Sequence, residues 1–110
     1  MAKEEEELKT LFFSDVEKFI KEQSEIDRAK VAVAFVFMEN GNFEQLHIKT
    51  LKGHIKEFIV RSCRITFFRQ DNIIYFVGAF RKKSAKTPRK EIEEAEKVYK
   101  IVKNEKSTNK

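Results

Sequence analysis

The apolar positions fall into segments with three different rhythms. LKTLFF, residues 8–13, reads as a short strand of mixed patterning. SDVE follows, in which Ser14 and Glu17 have capping-box spacing, and Val16, Phe19 and Ile20 recur at helical intervals. EQSEID interrupts that helix, and Ser24 is placed to cap a second one. VAVAFVFM, residues 31–38, is continuously apolar, and such a run fits a buried strand or a buried helix equally well by periodicity. Its β-branched residues and the following ENGN favour a hairpin. The unbroken continuation from IDRAK, and Gly41 at a C-cap position, favour a helix. EFIVRSCRITFFR and NIIYFVGAF are rich in Ile, Val, Phe and Tyr, and Gln70–Asn72 supply a turn between them, so antiparallel strands are expected. Thr87-Pro88 opens a last helix, with Thr as N-cap, Pro at the first helical position, and an apolar stripe of Ile92, Ala95, Tyr99 and Val102.

The 110 residues suit one domain, expected over residues 1–110 with flexible ends at 1–7 and 104–110. Eleven Phe and no Trp imply a core filled largely by Phe. No apolar run has membrane-spanning length, the acidic start is unlike a secretory signal, and the single Cys63 excludes an internal disulfide. A reducing cytoplasm is the expected location.

Charge is distributed unevenly. Residues 1–46 carry 6 Lys/Arg against 11 Asp/Glu, whereas residues 47–90 carry 12 against 2 and residues 91–110 carry 5 of each. The middle segment is thus far more basic than the net +5 of the chain, and an anionic partner is expected for it. A solubilising lysine-rich surface on an unrelated α+β domain is the plainer alternative. His47 and His54 lack metal-ligand spacing, and no cofactor or metal is expected. Cys63 reads as a buried structural thiol. Lys49, Lys52, Arg61, Arg64, Arg81, Lys82 and Lys83 remain, on strands or their connections. Arg64 stands inside the apolar run VRSCRITFF, where an unpaired charge is costly. It therefore needs either a carboxylate such as Glu57 or a phosphate in a groove.

LKG, IVRSCRITFF and FRKKSAKTPRKEIEEA together resemble the RelE superfamily of toxins, in particular its HigB-type branch. The resemblance covers about residues 46–97. It implies an α+β domain of about four mainly antiparallel strands with two N-terminal helices and one C-terminal helix, which resolves residues 31–38 as helix. It also implies a toxin of a type II toxin–antitoxin system that cleaves mRNA, usually on the ribosome and without metal, and is neutralised by a cognate helix-turn-helix antitoxin of HigA type.

By position, Lys49 matches the base-type Lys or His of that family and Arg64 its transition-state clamp. Arg61 and Lys82 match further catalytic cations, and Lys52 and Lys83 match RNA contacts. Cleavage of this kind turns the RNA 2′-OH on the adjacent phosphate and needs a base, an acid and cations. Clustered cations lower one another's pKa, so that Lys can exchange protons while Arg stays charged. Two departures stand out: Ile59 occupies the place of an arginine in the family's E-L-R pattern, for which Arg61 is the nearest substitute, and no C-terminal Tyr or His matches clearly. They leave open an inactive RelE-like module that binds RNA or protein without cutting.

Overall fold

The computed structural model describes residues 7–108, so the acidic residues 1–6 and the last two residues of the expected flexible ends lie outside it. The chain runs β1 (Lys9–Phe12), α1 (Ser14–Lys21), α2 (Glu25–Glu39), a 3₁₀ turn (Phe43–Gln45), β2 (Ile48–Lys52), β3 (Ile55–Val60), β4 (Cys63–Gln70), β5 (Ile73–Arg81) and α3 (Arg89–Thr108). The sheet order is β1-β5-β4-β3-β2, with β1 parallel to β5 and every other pair antiparallel. This is a single α+β domain of three helices and a five-stranded, mostly antiparallel sheet. The fifth strand arises because the chain reverses at Gly53-His54, at the end of LKG, and so divides the segment into β2 and β3.

The three hairpins share one device. Each has a two-residue connection whose first residue has positive φ: Gly53 at +54°, Arg61 at +56° and Asp71 at +56°. Gly and Asp tolerate this region well, whereas Arg61 does so at a steric cost.

The helices begin and end as their local chemistry dictates. Ser24 Oγ accepts from the Asp27 amide at 3.1 Å and caps α2. At the other end Gly41 has φ +72°, with its amide on the Met38 carbonyl at 3.0 Å and the Asn42 amide on the Phe37 carbonyl at 2.8 Å, a Schellman closure. The capping box expected at Ser14 and Glu17 does not form. Ser14 is already helical, the cap position is Phe13, and no side chain bonds to the amides there. At the start of α3 the Thr87 hydroxyl is instead engaged by Glu57.

Alternation along the strands divides the core in two. On one face α1 and α2 cover Phe58, Ile65, Phe67, Ile74 and Phe76. Phenylalanine does fill this layer: Phe35 meets Phe12 edge-on at 4.8 Å and Phe58 edge-on at 5.6 Å, and Phe12 stacks on Phe76 at 4.8 Å. On the other face α3 lays Ala95, Val98, Tyr99 and Val102 over Ile55, Phe68 and Tyr75. That helix covers only part of its face, and the remainder carries the cations.

Candidate functional site

The register shows which cations converge. Across the sheet, Lys49 stands opposite Glu57, Glu57 opposite Thr66 and Thr66 opposite Gly78; the next row is Ile59, Arg64 and Phe80. Residues two apart on a strand share a face, so both rows lie on the side that carries α3. A bulge in β5 between these rows and the Phe67–Phe76 pair turns the strand locally next to the site. The connection from Lys82 to Thr87 then folds over the rows. The result is an open groove of about 270 Å³ lined by Lys49, Arg64, Lys82 and Lys86, with His47, Ile59 and Phe80 between them and Glu57 and Thr87 in its floor.

Arg64 is fixed within this groove. Its Nη1 donates to the carbonyls of Arg61 at 2.7 Å and Cys63 at 3.0 Å. The guanidinium carries five N–H donors in a rigid fork, so holding one nitrogen orients the remainder for an anion. The carboxylate considered for it, Glu57, is engaged elsewhere: only 2 % exposed, it accepts from Thr87 Oγ1 at 2.9 Å. That bond ties the α3 entrance to the middle of β3 and holds the groove's outer wall in place. Beside it, Thr66 is fully buried and its hydroxyl donates to the Gly78 carbonyl at 3.3 Å. Glu91, in the first turn of α3, has a carboxylate oxygen 3.1 Å from where a Cβ on Gly78 would stand. Burial pushes the Glu91 carboxyl above its ordinary value, with Glu94 adding to the rise and Lys90 opposing it.

The other cations singled out from the sequence lie elsewhere. Arg61 reaches to the opposite side of the sheet, where its Nε pairs with Asp27 Oδ1 at 2.8 Å. Asp27 is 5 % exposed and also faces Arg81 Nη2 at 3.7 Å. Arg81 donates further to Ser62 Oγ and Gln23 Oε1. This cluster pins the start of α2 to the β3–β4 turn and the end of β5. It also explains how a non-glycine residue is held at φ +56° in that turn. The structure therefore does not bring Arg61 into the groove, which Ile59 lines. Lys52 lines a neighbouring cleft and pairs with Glu96 at 3.3 Å, and Lys83 is exposed in the connection after β5.

Cys63 is buried, with Sγ 3.8 Å from Gln23 Oε1. Burial raises its pKa and Asp27 adds to the rise, against the opposing pull of Arg81, Arg64 and Arg61. The thiol is thus held in its unreactive form. Among the described residues, no three His, Cys, Asp or Glu side chains cluster in a way that could hold a metal. No described helix is long and apolar enough to cross a membrane.

Lys86, His47 and the Glu57–Thr87 pair were not among the residues chosen from the sequence. Glu57 had a legible signal, since it alternates with Ile55 and Ile59 and so takes an inward position on β3. His47 had one as well, since it lies two residues before Lys49 at the start of β2, with its carbonyl accepting from the Ile59 amide at 3.0 Å; Lys86 had none, because the path of the connection over the sheet sets its placement.

No curated protein is detectably similar to this chain. The family described as Phage derived protein Gp49-like (DUF891) matches it over residues 18–100. The matched stretch includes every strand and connection that builds the groove. The chain belongs to this Gp49-like family, a family of toxin–antitoxin toxins related to the RelE-like toxins, which implies an antitoxin as its partner.

Proposed function

We propose that this toxin is a metal-independent mRNA endonuclease of the HigB type, acting in the cytoplasm on ribosome-bound messages and neutralised by a helix-turn-helix antitoxin. The observation that supports the reading best is the convergence of Lys49, Arg64 and Lys82 on one open groove, with Arg64 oriented by two carbonyls. A phosphodiester seated there meets cations from an edge strand, a central strand and the end of a third. In the reaction Lys49 takes the proton of the 2′-OH, and the 2′-oxygen attacks the adjacent phosphorus. Arg64 balances charge on the non-bridging oxygens, where fixed donors act most strongly in the transition state. Lys82 gives a proton to the departing 5′-oxygen. The products are a 2′,3′-cyclic phosphate and a 5′-hydroxyl. Lys52 and Lys83 contact RNA outside the reacting phosphate.

A second reading has an observation of its own. Ile59 lies directly opposite Arg64 in the groove, and Arg61 is engaged by Asp27, so one arginine of the RelE-like pattern is not replaced. A RelE-like module that binds RNA or protein without cutting follows if the remaining cations are too few for catalysis. Mapping 5′ ends of cellular mRNA after induction separates the two. New ends bearing 5′-hydroxyls support the nuclease. Retained RNA binding with no new ends supports the inactive module.

A further inference from the structure

A larger cleft, of about 590 Å³, lies beside the groove between the β2–β3 turn and the second half of α3. Lys52, His54, Tyr99, Lys100 and Lys103 line it. The His54 ring stacks on Tyr99, with centroids 4.9 Å apart and planes 19° from parallel. Tyr99 in turn meets the fully buried Phe68 edge-on at 5.1 Å. The imidazole therefore rests on an aromatic column rooted in the core, while the residue itself is exposed. The turn does not require this ring: Gly53 supplies the positive φ, and any residue can follow it.

The strand register joins the cleft to the groove. β2 has a bulge between Thr50 and Lys52, so that Lys52 stands opposite Ile55 while Lys49 stands opposite Glu57. Ile55 and Glu57 share a face, and the bulge thereby brings both lysines onto the α3 side. Two residues of strand separate their partners, a rise of about 7 Å. The two depressions are thus consecutive along one cationic edge. Among the described residues, Glu96 is the single acid lining the cleft, against Lys52, Lys100 and Lys103. An aromatic platform flanked by cations is the arrangement that grips single-stranded nucleic acid without reading its sequence.

We propose that this cleft is a second nucleotide subsite for the same RNA strand, holding a nucleotide that flanks the one in the groove. Its base stacks on the His54 ring, and its phosphate lies against Lys100 and Lys103. The inference rests on the RNA reading of the groove and gives the strand a path along β2 toward α3.

The test is fluorescence anisotropy with a labelled 12-nucleotide 2′-fluoro RNA, which has no 2′-hydroxyl and cannot be cut by this route. His54→Ala should weaken binding about fivefold or more, since stacking of one base is worth ~1–3 kcal/mol, and His54→Phe should restore it by keeping a flat ring. The Lys100→Glu/Lys103→Glu double variant should lower the slope of log affinity against log salt by about 0.7, since the one phosphate held between these lysines contributes about 0.7 on a single strand. Wild-type affinity in both His54→Ala and the double variant overturns the subsite and leaves the groove reading intact. So does a His54→Phe variant as weak as His54→Ala, or a His54→Ala change that impairs only antitoxin capture. A wild-type chain that binds no RNA overturns both.

Discussion

Gly78→Ala tests whether the sheet next to the groove is packed as tightly against α3 as its geometry indicates. A Cβ at this position would stand 2.7 Å from Thr66 Oγ1 and 3.1 Å from Glu91 Oε1, where ordinary contacts begin at 3.4 Å. The Glu91 carboxylate ends a flexible side chain and can withdraw. Thr66 cannot, because it is fully buried between Glu57 and Gly78 in the ladder and its hydroxyl is bonded to the Gly78 carbonyl. Overpacking of this kind costs about 1–3 kcal/mol. The loss of unfolded-state freedom on replacing glycine returns ~0.4–1 kcal/mol. The net expectation is a loss of roughly 1–2 kcal/mol, or a melting temperature lower by about 5–10 °C for a domain of this size. Thermal melts followed by circular dichroism measure it directly. Thr66→Ala removes the atom that is struck, so the Gly78→Ala/Thr66→Ala pair should lose about 1 kcal/mol less than the sum of the single variants. An unchanged or higher melting temperature in Gly78→Ala, or strict additivity in the pair, refutes the reasoning.

Three further outcomes follow from other buried groups of the fold. Thr87→Val leaves the buried Glu57 carboxylate without its hydroxyl donor and should lower stability by about 1–3 kcal/mol in urea unfolding, far more than an ordinary surface change. The raised Glu91 pKa means that the folded state holds this proton more tightly than the unfolded chain does, so its contribution makes stability fall as pH climbs from the ordinary value of 4.5 through the raised folded value. Glu91→Gln should flatten that slope and be more stable than wild type at neutral pH; an unaltered slope in urea titrations across the range would rule the effect out. Cys63, buried and with its pKa raised from 9.0, should react with iodoacetamide at neutral pH much more slowly in the native protein than in urea, and equal rates would contradict its placement.

Much of the architecture could be read from the chain because local chemistry and tertiary position agree. Ser24, Gly41 and the turn at Asp71 each sit where their side chains or lack of one favour the observed backbone. The run at 31–38 resisted reading for a physical reason. In α2 the residues Val31, Ala34 and Met38 face the core, yet Ile26, Val33 and Val36 are apolar and exposed, so no polar face marks the helical period. Ser14 misled because the capping-box spacing is a pattern of residue types, and the chain enters the helix one residue earlier than that pattern requires.

The site was legible in part. Arg64 and Lys49 sit within strands, where alternation fixes their face. Arg61 lies in a turn at positive φ, where alternation no longer applies, and only the folded chain shows that α2 supplies Asp27 to meet it. The face of Lys52 depends on a bulge that leaves no mark in the sequence.

The central claim is that the groove around Arg64 cuts RNA. The most direct measurement is 5′-end mapping of mRNA after inducing the wild-type chain or Arg64→Ala in a host lacking the antitoxin, with the folding of each purified protein checked by circular dichroism. The account predicts growth arrest and new 5′-hydroxyl ends with the wild-type chain, and neither with a folded Arg64→Ala protein. A folded Arg64→Ala variant that still arrests growth and leaves the same ends would contradict it.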